Sequence, residues 1–219
     1  NVRVKIEPYY QYLFDVPVSI HPWSTYSLIN QDRNFFADSL SNAGTGYNTG
    51  VEVTVEKAFA SGIFFLLSGS VYDSKYRMNN GGPTVDYNTK YTSGFNTALT
   101  FGKEWELGNG KRLEAGGKVL YSGGQRYTPY DTQASRDTGR PVYVYDQAYT
   151  QRVSDYFRVD TRIALRKNKA HSSWRLSLDI QNLTNHTNPQ RPYFDRWTGN
   201  VAYQFNTSII PVISYMVDF

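Results

Sequence analysis

The sequence predicts an all-β fold, an antiparallel transmembrane β-barrel of which eight strands are visible. Three observations carry this expectation. Apolar and polar residues alternate with period two in one segment after another, and no window of useful length repeats apolar residues at helical spacing. Short connections alternate with long ones, as periplasmic turns and extracellular loops do. Aromatic residues, 16% of the chain, gather near the strand ends, where their rings favour the headgroup region of a bilayer.

Successive strand side chains point to opposite faces, so each segment can be sorted. The first strand sets Val2, Val4, Ile6, Pro8, Tyr10 and Tyr12 against Arg3, Lys5, Glu7 and Gln11. The second sets Val51, Val53 and Val55 against Glu52, Thr54 and Glu56. The third, Ile63 to Tyr72, is apolar on both faces. The fourth opposes Phe95, Leu99, Phe101 and Trp105 to Asn96, Thr100, Glu104 and Glu106. The fifth opposes Leu113, Val119 and Tyr121 to Arg112, Glu114 and Lys118. The sixth is the clearest, with Phe157, Val159, Thr161, Ile163 and Leu165 on one face and Arg158, Asp160, Arg162 and Arg166 on the other. The seventh opposes Trp174, Leu176, Leu178 and Ile180 to Arg175, Ser177, Asp179 and Gln181. The last runs from about Thr207 to Phe219, with apolar residues at its odd positions from Ile209.

Short connections fall near 58–61, 107–110 and 167–171. Asn109-Gly110 is a strong type I′ hairpin signal. Long connections span roughly 15–46, 74–94, 123–154 and 184–206, and are rich in Tyr, Asn, Asp, Gly and Pro. An even number of strands places both termini in the periplasm.

A soluble barrel points its apolar face inward, and a membrane barrel points it at lipid. Full charges of both signs on the polar face favour a wet or plugged interior. Phe59, Trp105, Trp174 and Phe219 lie at the short-turn end, and Tyr10, Tyr12, Tyr47, Tyr72 and Tyr121 toward the loop end, as two interfacial girdles would. Lys57 and Lys103 fall on the apolar face, near enough to the turn-end rim to snorkel. Composition excludes other classes. The longest purely apolar run, Ile63 to Leu67, is far short of the roughly 20 residues a spanning helix needs. There are no cysteines, hence no disulfide or thiolate chemistry. The net charge of +4 is spread along strand interiors and makes a poor nucleic-acid patch. The N-terminal Asn-Val-Arg-Val-Lys-Ile has neither Met nor an apolar leader core, so the chain is expected to be mature, processed or a piece of something longer. Eight strands can close on themselves. A segment of a larger barrel would instead leave two open edges, and alternation alone does not choose.

Several local sequences carry a resemblance. Ser122-Gly-Gly-Gln-Arg-Tyr-Thr-Pro129, Asp155-Tyr-Phe-Arg-Val-Asp-Thr-Arg-Ile163, Leu178-Asp-Ile-Gln-Asn-Leu-Thr-Asn185 and the strand Gly62 to Tyr76 resemble segments of TonB-dependent outer-membrane receptors of the Bacteroidota. The terminal Phe219 matches the aromatic ending that acts as an assembly signal for outer-membrane barrels. The resemblance covers about Gly50 to Phe219. It implies that the chain is the last eight strands of a roughly 22-stranded barrel, with the plug and first strands absent from it. It also implies transport of a scarce ligand (metal chelate, glycan or peptide), driven by TonB through the missing N-terminal region. The implied partners are outer-membrane lipid, the remaining barrel and plug, and a surface lipoprotein or larger outer-membrane complex. No cofactor and no catalysis are expected. The alternative is a small stand-alone eight-stranded barrel with a structural or surface-binding role.

Candidate sites follow from this frame. Arg158, Asp160, Arg162 and Arg166 form a charged ladder that either faces the lumen and plug or is a solvated, internally paired wall. Binding residues concentrate on loops. There Tyr127, Tyr130, Tyr143, Tyr145 and Tyr149, with Tyr193, Phe194 and Trp197, either stack on sugars or organic chelates or pack loop on loop. His21, His171 and His186 lack metal-ligand spacing, and Glu104 with Glu106 is read as lumen charge. The sequons at Asn182 and Asn185 are read as turn chemistry, and Gly116-Gly117-Lys118 lacks the context of a phosphate loop.

Overall fold

The structure is a computed structural model that describes residues 2–31 and 39–219. Part of the first long connection therefore lies outside the described residues.

Eight long strands form one antiparallel sheet in chain order: β1 Val2–Ser19, β2 Leu40–Ala60, β3 Ile63–Arg77, β4 Phe95–Gly108, β5 Lys111–Ser122, β6 Tyr156–Asn168, β7 Ser173–Gln181 and β8 Ile210–Asp218. A ninth, Tyr87–Asn88, adds to the loop end of β3. All eight expected strands are present. β1 and β8 do not pair, so the sheet is open, with those strands as its edges. The shortest, β7 and β8, have 9 residues each, which is enough for a tilted strand to cross a bilayer.

Turn chemistry fixes the register. Ser61-Gly62 and Asn109-Gly110 both have positive φ at each central residue, as a two-residue type I′ loop demands. With those turns set, the apolar sides of neighbouring strands coincide. Val4, Val55, Leu67, Leu99, Val119 and Val159 line up across six strands. Trp105, Leu113, Leu165, Leu176 and Tyr215 do the same nearer the turns. A one-residue slip anywhere would reverse every side chain beyond it.

Nothing among the described elements is layered over this apolar face. Val4 is 60% exposed, Ile163 51% and Ile213 76%. Lys57 and Lys103, on this face, are accommodated at its turn-end margin. Lys57 Nζ donates to the Ala60 and Ile63 carbonyls (3.3 and 3.4 Å), and Lys103 lies 5.1 Å from the Trp105 ring. Toward the loops, Tyr10 stacks on Tyr47, and Phe95, Tyr121 and Phe157 form an aromatic ladder. Tyr72 does not join this girdle. It lies on the opposite face, and its hydroxyl bonds Ser93 Oγ (2.6 Å) and the Tyr91 carbonyl (3.0 Å).

The packed core sits at the loop end. Val16, Val18, Tyr76 and Met78 are buried together, with Leu13, Ile29, Tyr87 and Tyr149 against them. β1 reaches this cluster because it continues through a bulge around Asp15 (φ +54°). It thus outruns the boundary expected there, just as β2 begins earlier than expected. Two expected loops also carry structure of their own. A helix, α1 (Thr132–Thr138), occupies the third, and a hairpin of 189–195 with 200–205 occupies the fourth.

Candidate functional site: a cavity among the loops

The third long loop leaves β5 through Gly123 and Gly124. A Cβ at either would run into the backbone of Ser93 or Val153, so only glycine lets the strand end lie this close to its neighbours. Arg126-Tyr127 then pair with Gln151-Arg152. The Arg126 guanidinium is spent on three carbonyls, of Thr92 (3.1 Å), Tyr149 (3.2 Å) and Thr150 (3.4 Å). Arg152 donates to the Ser93 and Gly124 carbonyls. This ties the run from Ser122 to Pro129 to the end of the second long loop and to the returning arm of its own loop.

α1 begins at Asp131, whose carboxylate accepts from the Ala134 amide, and ends at Gly139 in the left-handed region. From it Arg136 reaches the Gly199 carbonyl (2.7 Å) and Asn200 Oδ1 (2.9 Å), clamping the 189–205 hairpin. Tyr130 and Tyr143 pair across the loop with ring centroids 4.9 Å apart, and Tyr145 follows at 6.1 Å from Tyr143. The Tyr130 hydroxyl donates to the Pro192 carbonyl, and the Tyr127 and Tyr203 hydroxyls meet at 3.4 Å.

These contacts enclose an open cavity of about 440 Å³, within the usual range for small-molecule sites. Tyr127, Tyr130, Tyr143, Tyr145 and Tyr149 all line it. Trp197 does not, being 97% exposed at the tip of the hairpin. Pattern reading missed Tyr26, Lys90, Arg126 and Arg191, which also line the cavity. For Arg126 a signal existed, since it stands between two glycines and a tyrosine already singled out. Burial, reinforced by the Tyr203 hydroxyl, pushes the Tyr127 phenol up to about 12. Burial raises Tyr130 too, followed by the adjoining Tyr143. Both are neutral donors at physiological pH. Burial, followed by Arg152, lowers Arg126, which at pH 7 is still a cation.

The charged ladder of β6 lies on one face, but most of its charge is answered nearby. Arg158 binds Asp160 in a two-pronged pair (2.6 and 2.8 Å), and Asp160 also accepts from the Asn182 amide. Arg162 meets Asp179 at 3.5 Å, and Arg166 donates to Asn168 Oδ1. This favours the internally paired wall over a row of free cations. Arg166 stands level with Arg112 on β5 and Arg175 on β7, whose carboxylate partners are Glu106 and Glu114. The sequon asparagines Asn182 and Asn185 both have positive φ, and Asn182 is buried with its Nδ2 donating to the His186 and Thr207 carbonyls. They behave as turn residues.

Among the described residues no group of three or more His, Cys, Asp or Glu could hold a metal ion. No helix there is long and apolar enough to cross a membrane, which says nothing of strands. No protein-family model, curated protein or solved structure matches the chain.

Proposed function

We propose that the chain is the C-terminal wall of an outer-membrane receptor barrel of the TonB-dependent kind, importing a ligand captured among its loops. The observation that carries this reading is the apolar face, continuous in register across eight strands of membrane-crossing length and covered by no described element. Water does not tolerate an apolar patch of that extent, whereas lipid requires it. The open edges of β1 and β8 point to further strands. Unpaired backbone groups in hydrocarbon cost several kcal/mol each, so only a closed wall is stable there. In this reading β1 and β8 are joined to the rest of a barrel of about 22 strands with an interior plug. TonB acts on that plug, and the wall supplies a conduit and an anchor for the loops. Phe219 lies fully exposed just past β8.

The test is the intact mass of the native polypeptide under denaturing conditions. The expected result is a mass several-fold above the 25.1 kDa of this chain. A native mass near 25.1 kDa would remove the import reading and leave a self-closed eight-stranded barrel with a structural or surface role.

A further inference from the structure

Resting on that receptor reading, we propose that the loop cavity takes an acidic saccharide, a short sugar chain bearing carboxylate, sulfate or phosphate groups. The charge of the lining comes first. Arg126 and Arg191 line the cavity, and among the described lining residues there is no Asp or Glu. Among the described residues Arg126 donates to three carbonyls and has no carboxylate within ion-pair distance, although the field of Asp73 favours its charged form. Arg191 donates through Nε to Gln204 (2.9 Å), and its guanidinium has no carboxylate partner among the described residues. An anion is the complement of such a wall.

The rings come second. Tyr143 and Tyr145 are 37% and 48% exposed beside Tyr130, and offer flat faces of a kind on which a sugar ring can stack. The neutral donors come third. Asn30 is 7% exposed and lines the cavity, its Oδ1 accepting from the Lys90 amide. Gln125 and Gln190 add further amides. Stacking faces, hydroxyl-matching amides and the charges of Arg126 and Arg191 together fit a charged polyol.

The experiment uses the natural full-length protein in detergent and a panel of uronate, sulfated and phosphorylated trisaccharides, their neutral counterparts, and a ferric tris-catecholate. Acidic trisaccharides are expected to bind about tenfold or more tighter than the neutral forms. Arg191→Gln, at an exposed position with one side-chain contact, should erase that preference, and Tyr145→Ala should weaken acidic and neutral sugars together. Equal binding of acidic and neutral forms, the catecholate binding in their place, or no saccharide bound by the folded protein would each overturn the proposal. Those outcomes from a polypeptide of high native mass sink the ligand assignment alone. A low native mass sinks the receptor reading itself.

Discussion

Leu99→Arg is expected to destabilise the lipid-embedded protein by about 2–4 kcal/mol, while Ala98→Arg, one residue away, costs less than about 1 kcal/mol. The two side chains leave β4 on opposite faces. Leu99 lies between Leu67 and Val119 in the apolar row, and Ala98 between Ser68 and Leu120 on the face that carries the charges. In the proposed barrel an arginine at position 99 enters hydrocarbon or drags water and headgroups inward, whereas one at 98 meets an aqueous lumen. Both variants put the same charged side chain on the same strand between the same turns, and Leu99→Ala, measured beside them, subtracts the loss of the leucine itself, which leaves the medium on each side as the difference. Denaturant titration of the full-length protein folded into vesicles measures both. Equal costs, or a larger cost at 98, would mean that the apolar face is not the lipid face.

Tyr76→Ala is expected to damage the other end of the molecule. Tyr76 is 1% exposed within the Val16, Val18 and Met78 cluster, 5.6 Å from the Tyr87 ring, and its hydroxyl donates to the Thr25 carbonyl (2.8 Å). Removing a buried ring of this size costs about 3–5 kcal/mol, and the loss falls on the loop cap. Protease cutting within the loops should rise sharply while the sheet still resists heat in detergent. Tyr76→Phe keeps the ring and loses one hydrogen bond, so it should cost only about 1 kcal/mol. If Tyr76→Ala left loop cutting unchanged, the cluster would not be the core of the cap. If it unfolded sheet and loops together, the two would form a single cooperative unit.

The sheet was legible in the sequence because its physics is local. Period-two alternation marks the strands and Asn109-Gly110 marks one turn, whereas the pairing register and the Ser61-Gly62 turn are fixed by the fold. What escaped was set by exceptions or by distance. Asp15 interrupts the alternation of β1 with a bulge, and the period-two pattern stops there although the strand does not. Tyr72 was grouped with the girdle by its position along the strand, although parity places it on the other face. α1 has seven residues, too few for a periodic signature, and only its Asp131 cap and Gly139 stop could have marked it. Pro189 and Pro192 disguised the loop hairpin, because proline argues against strand interiors. The tyrosines of the cavity were recognisable as a class. Their meeting with Lys90, Arg126 and Arg191 depends on contacts between separate loops that no spacing rule encodes. Trp197 shares their aromatic character and loop placement, but the fold carries it away from them.

Whether lipid covers the apolar face can be measured directly: these 219 residues contain no cysteine, and any cysteine elsewhere in the full-length protein is first replaced by serine. Leu99→Cys and Ala98→Cys variants of the full-length protein, each labelled with one small fluorophore and reconstituted into vesicles, are exposed to brominated lipid. The account predicts strong quenching of the label at position 99 and little at position 98. Equal quenching at the two positions, or quenching only at 98, would contradict it.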